Sequence, residues 1–259
     1  MGGVVFFNRR WWKTTLLVLV AVLMMVRLGI WQLDRLEQRR AFNARLKAQI
    51  GQPPLVLTPA TLGLNLSQME YRQVVVKGEY DFAGEVALRN QEWNSLYGVH
   101  LLTPLRVEGS DWYVLVDRGW IPGEDFNSGD WAKYREEGQV TVRGVIRASQ
   151  SKPDFGGRTD PTLAPGEKAL RAWHLVNVER IGEQVPYPLL PIYIQQLPDP
   201  SWVGLPYRSQ LEIELSEGPH LGYAIQWFTF ATILGLGYPL FVYRNERMTN
   251  FREFAHKAT

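Results

Sequence analysis

His220 is the residue best placed for chemistry. It follows Gly218 and Pro219 and opens an uncharged segment of 23 residues, Leu221 to Tyr243. Proline suits the first turn of a helix, and the positive end of a helix dipole disfavours an imidazolium there. The ring is therefore expected to be neutral and able to bind metal, and neutral imidazole is a competent ligand for haem iron. At steps of three and four residues along the same face come Tyr223, Trp227, Ala231 and Leu234 or Gly235, aromatic walls followed by small residues, against which a flat macrocycle could lie. Trp31, Gln32 and Arg35 are expected level with His220, and Arg27 about 9 Å deeper at 1.5 Å per residue, where it could snorkel or neutralise an anion. Together these residues are ingredients for iron ligation, ring stacking and propionate pairing. A plainer reading stays open: Trp, Tyr, His and Arg also anchor helices at membrane interfaces.

Other chemistry is sparse. The chain has no cysteine, which removes disulfides, thiolate metal sites and cysteine nucleophiles. H-E-x-x-H, G-x-S-x-G and G-x-x-x-x-G-K are absent, so zinc hydrolases, serine esterases and P-loop enzymes lose their usual signals. Asp125 to Asp130 lacks the ligand pattern of a calcium loop and reads as a solvated turn. Asp117 and Arg118 read as a strand-end ion pair, and His100 and His174 as structural imidazoles within strands. His256 lies in a charged tail. A net charge of +2 gives no basic stripe for nucleic acid.

The elements that must position His220 are apolar. Thr14 to Leu33 carries one charge in 20 residues, enough to span a hydrocarbon core. A secretory signal is the rival, but no small-residue cleavage site follows. The expected organisation is a cytoplasmic stretch 1–13, a transmembrane helix 14–33, a charged helical stalk 34–54, an extracytoplasmic domain 55–218, a second transmembrane helix 219–243 and a cytoplasmic tail 244–259. Positive residues around the first span favour the opposite orientation. Those after the second (Arg244, Arg247, Arg252, Lys257) decide the assignment, because long translocated loops largely escape the rule. The segment 34–218 carries 20 basic and 24 acidic residues and the remaining 74 residues carry 8 and 2, which agrees with both termini in the cytoplasm of a bacterium and the central domain in the periplasm.

That domain reads as strands: Val74–Tyr80, Glu85–Asn90, Val99–Val107, Trp112–Trp120, Val140–Arg147, Trp173–Val178 and Leu189–Leu197. Short alternating runs divided by turn signals predict a mainly antiparallel, barrel-like α+β domain between two transmembrane α-helices. Thr58–Met69 and Glu179–Gln184 are the expected short helices, and Ser149–Lys168 a mobile loop.

Several blocks in order resemble the Surfeit locus protein one family of cytochrome c oxidase assembly proteins. They are Gly29 to Arg35 (GIWQLDR), Tyr71 to Phe82 (YRQVVVKGEYDF), Gly98 to Leu105, Val114 to Pro122 (VLVDRGWIP) and Pro219 to Ala231 (PHLGYAIQWFTFA). The family usually has two asparagines before the histidine, where this chain has Gly218 and Pro219. The resemblance implies a non-enzymatic, two-span factor of the respiratory chain that assists insertion of haem a into subunit I of the oxidase, with haem a synthase as a further partner. It implies His220 as haem ligand. Trp31, Arg35, Tyr223, Trp227 and Arg27 are assigned as cofactor contacts on geometry alone. Two other readings stay open: a non-haem adaptor that scaffolds oxidase subunits, and an extracytoplasmic enzyme of unrecognised chemistry.

Overall fold

The computed structural model describes Phe6 and residues 8–153, 156–163 and 169–257, without the side chains of 250–257. It divides into two compact units, Met1–Arg45 with Glu214–Thr259, and Leu46–Ile213.

Helix α1 (Trp12–Ile50) runs unbroken for 39 residues, so the expected apolar span and charged stalk are one rod. It ends at Ile50 rather than at residue 54: the Gly51 N–H donates to the Lys47 carbonyl at 3.1 Å, and Pro53 and Pro54 cannot extend the ladder. Thr15, Val18, Val22, Met25, Gly29, Gln32, Leu36, Arg39 and Asn43 are buried or half-buried at alternating steps of three and four, the seven-residue repeat of a coiled-coil seam.

The second unit is built from β1 (Leu55–Leu57), β2 (Gln73–Tyr80), β3 (Val86–Trp93), β4 (Leu96–Val107), β5 (Tyr113–Pro122), α2 (Gly123–Ser128), β6 (Gln139–Ala148), β7 (Ala172–Trp173), α3 (Val178–Gly182) and β8 (Leu189–Gln196). The strand order is β1-β2-β6-β8-β5-β4-β3-β7, and an additional β2–β4 pairing closes five strands into a barrel. Alternation supplies its core: Val74, Val76, Leu105, Val107, Val114, Val116, Val142, Ile192 and Ile194 all pack into one cluster. Most pairings are antiparallel, as expected, but β1–β2, β3–β7 and β5–β8 are parallel.

Four local expectations change. Strand β1 is additional, a three-residue piece too short for alternation to reveal. Thr58–Met69 forms turns, with a single 3-10 turn at Leu66–Gln68. The expected strand Trp173–Val178 is only Ala172–Trp173, because Asn177 caps α3 by accepting the Arg180 N–H at 3.2 Å. Of the loop Ser149–Lys168, residues 154, 155 and 164–168 lie outside the described residues; elsewhere in it Ser149 Oγ accepts the Val178 N–H at 3.0 Å and Asp160 accepts the His174 N–H.

The fourth change concerns Asp117 and Arg118, which do not pair. Neighbouring strand residues point to opposite faces, so Arg118 follows Val114 and Val116 inward while Asp117 points outward. The Arg118 side chain is fully buried; it donates to Glu85 at 3.0 Å and Glu136 at 3.1 Å and lies 4.9 Å from the Tyr80 ring. Burial raises the Glu85 carboxyl, against the Thr103 and Arg118 hydrogen bonds that lower it.

Helix α4 (His220–Lys257) returns along α1. The expected tail 244–259 is a continuation of this helix as far as Lys257. Its contacts with α1 fix an antiparallel register: Trp11 donates to Glu246 at 2.7 Å, Thr15 meets Tyr238 at 2.7 Å, and Gly235 faces Val22. A Cβ on Gly29 would stand 2.7 Å from the Phe228 ring, so only glycine allows that approach. Both helices are long and apolar enough to cross a membrane, and only 6% and 11% of their apolar windows are buried.

Arg118→Ala should lower stability by about 3–5 kcal/mol, since it leaves the buried Glu85 without its cation, while Glu136 keeps Arg208. Denaturant unfolding followed by tryptophan fluorescence measures it.

Candidate functional site

His220 begins α4 and is half-buried against α1. Its Nδ1 lies 2.8 Å from Oε1 of Gln32. An amide oxygen only accepts, so Nδ1 carries a proton, and in the neutral ring the lone pair is then on Nε2. This is how the partner of one ring nitrogen prepares the other for a metal.

The chain entering α4 is held just as firmly. Arg39 donates to the carbonyls of Ser216 (3.0 Å) and Glu214 (3.2 Å), and Asn43 donates to that of Leu215 at 2.8 Å. Arg40 pairs with Glu217 at 2.9 Å. Gly218 then turns the chain at φ +69°, its N–H donating to Ser216 Oγ at 3.0 Å. A Cβ at Gly218 would stand 3.5 Å from His220 Nε2. Glycine therefore puts no side chain against that edge of the ring.

Among the other expected site residues, Trp31 and Arg35 meet each other: the guanidinium lies 5.7 Å from the ring, and both are exposed. Arg35 also donates to Gln38 at 3.0 Å. Tyr223 is exposed, while Trp227 is half-buried, edge-on to Phe230 at 6.3 Å. Helical periodicity places Trp31 and Arg35 with Tyr223, Trp227 and Phe230 on one flank of the seam, opposite the flank where Gly29 meets Phe228. Arg27 is exposed and five residues, about 7.5 Å, along α1 from Gln32. The structure thus joins His220 directly to Gln32 and to none of the three aromatics or the two arginines. Gln32 was expected level with the histidine without a role of its own; the signal for one is its position, an amide on the buried seam of an apolar helix.

Among the described residues of the second unit, the histidines and acids singled out from the sequence lie in separate pairs. His100 donates from Nδ1 to Asp117 at 2.9 Å, and Asp117 also accepts the Gly119 N–H at 3.0 Å. His174 is hydrogen-bonded to Asn90 at 3.3 Å, apart from that pair. Asp125 is occupied by Lys133 at 2.5 Å and by the Tyr134 hydroxyl. Among the described residues no cluster of three His, Asp or Glu could hold a metal ion. His256 lies outside the described side chains.

Residues 19–232 match the SURF1 family, a stretch that includes both Gln32 and His220. The chain belongs to that family. It is 25% identical over 227 residues to a SURF1-like protein of Caenorhabditis elegans, covering 80% of this chain and 67% of that one. To the Surfeit locus protein 1 of Homo sapiens it is 24% identical over 216 residues, 78% of this chain and 68% of that one. This SURF1-family chain therefore spans about two thirds of the length of these relatives.

Two outcomes follow from the site geometry. Burial alone would lower the His100 pKa, but the Asp117 carboxylate outweighs it and leaves the imidazole above its ordinary 6.5. Stability from this pair is fully present below about pH 6.5 and lost as pH rises through the raised value. Unfolding free energy should therefore fall from pH 6 to pH 8, and His100→Asn should flatten that fall. Nitrogen-15 spectra at pH 8 should show His220, one of four histidines, with its proton on Nδ1, and Gln32→Leu should abolish that single-tautomer signature.

Proposed function

We propose that this SURF1-family chain is a membrane-anchored assembly factor for haem–copper cytochrome c oxidase that holds haem a on its way to subunit I, with His220 Nε2 as the iron ligand. The carrying observation is the 2.8 Å contact from His220 Nδ1 to Gln32, which in the neutral ring puts the lone pair on Nε2, beside a glycine. The residues present fit the group. Tyr223 and Trp227 offer ring faces on one flank of the seam, and the exposed guanidiniums of Arg35 and Arg27 suit carboxylates. When bound, the haem supplies an iron that takes up the imidazole lone pair. The protein fixes the tautomer and orientation of that imidazole and holds the entering chain through Arg39 and Asn43.

In this reading α1 and α4 cross the bacterial inner membrane, both termini are cytoplasmic and the barrel unit is periplasmic, with haem a synthase as a further partner. The exposed apolar residues Leu16, Leu17, Leu23, Ile233, Leu236 and Leu240 support insertion, because water would not tolerate so continuous an apolar surface. No catalytic step is assigned.

The protein should be purified from cells that make haem a and its absorption spectra compared among variants. His220→Ala should lose the Soret band of the wild type, and Gln32→Leu should weaken haem affinity by about 10–100-fold. Unchanged spectra in both variants would favour a non-haem adaptor in which His220 serves only to lock the seam.

A further inference from the structure

The barrel unit carries a second candidate site that the haem reading does not use. A cleft of about 490 Å³ opens beside β7, lined by Arg89, Phe126, Leu170, Arg171, Ala172 and His174 among others. Its floor is apolar: Ala172 and Leu170 are buried, and Phe126 stacks on Trp131 with centroids 5.5 Å apart. Its rim is cationic. The Arg89 guanidinium lies 5.6 Å from the Phe126 ring and that of Arg171 lies 4.5 Å from the Trp131 ring.

Neither guanidinium forms an ion pair among the described residues, whereas Arg118 and Arg208 in the same unit are both paired with Glu136. The turn that receives Arg171 is shaped for it, since Gly129 has φ +76° and a Cβ there would press to 3.3 Å from the guanidinium. His174 adds a donor. The amide nitrogen of Asn90, 3.3 Å away, can only donate to Nδ1, so the ring proton sits on Nε2. The Asp160 carboxylate follows on from this wall of the cleft: its Oδ1 accepts the backbone N–H groups of His174 and Leu175, and its Oδ2 is buried.

We propose that this cleft binds a small organic carboxylate with an apolar body. A forked guanidinium matches a carboxylate bidentately, the cleft lining supplies two of them, and the apolar floor accounts for the body, which a bare inorganic anion lacks. Their stacking on Phe126 and Trp131 holds both forks ready and lowers the ordering cost of binding.

The test uses the full chain in lipid nanodiscs and naphthalene-2-carboxylate as the probe, followed by calorimetry. The wild type should bind it saturably. Arg89→Gln combined with Arg171→Gln should weaken binding at least tenfold with an unchanged unfolding midpoint, and Phe126→Leu alone at least threefold. Neutral naphthalene-2-carboxamide and equimolar inorganic phosphate should not compete. Binding should persist in His220→Ala, which separates this site from the haem reading. Absence of saturable binding, equal binding of the amide, effective competition by phosphate, unchanged affinity in the arginine double variant, or loss in His220→Ala would each overturn the proposal.

Discussion

The hydrogen bond from His220 Nδ1 to Gln32 exists only if two long helices meet in one register. For helices in hydrocarbon, as proposed for these two, there is no hydrophobic drive between them, so close packing and polar contacts must set that register. Here they are spread along the whole seam. Trp11 with Glu246 and Thr15 with Tyr238 fix one end, Gly29 under the Phe228 ring fixes the middle, and Arg39 and Asn43 gripping residues 214–216 fix the other end. A slip by one residue would turn His220 about 100° off the seam and break the contact. The readiness of Nε2 is thus a property of the hairpin rather than of the histidine alone.

The barrel solves a different problem, the placement of charge inside a small closed sheet. Arg118 enters at the end of an inward row of valines and finds Glu85 and Glu136, while its neighbour Asp117 faces the other way and finds His100. Both arrangements follow from strand alternation, and both consume the groups that a sequence would offer as catalytic candidates. Arg89 and Arg171, which form no ion pair among the described residues, lie instead over aromatic rings.

The two apolar helices, most strands and the barrel-like closure were legible because each rests on a local period or on length. What stayed hidden depends on partners distant in sequence. Parallel β5–β8 pairing joins strands separated by α2, β6, β7 and α3, and no local pattern encodes it. Asp117 and Arg118 do not pair because neighbours along a strand point to opposite faces, so adjacency in sequence is not adjacency in space. At the site, His220 was legible from its position at a helix start after proline. The tautomer-fixing partner was not, because it lies 188 residues away. Gly218 looked like a departure from the family pattern, and only the fold reveals that it borders the open nitrogen.

A double-mutant cycle on haem affinity tests the central claim most directly, because it isolates the coupling between two residues from their separate effects. Ferric haem affinity would be measured for the wild type, Gln32→Leu, His220→Ala and the pair. If Gln32 acts through the imidazole, its replacement should weaken binding in the wild type and change nothing once His220 is gone. Equal, additive losses in both backgrounds would contradict the account.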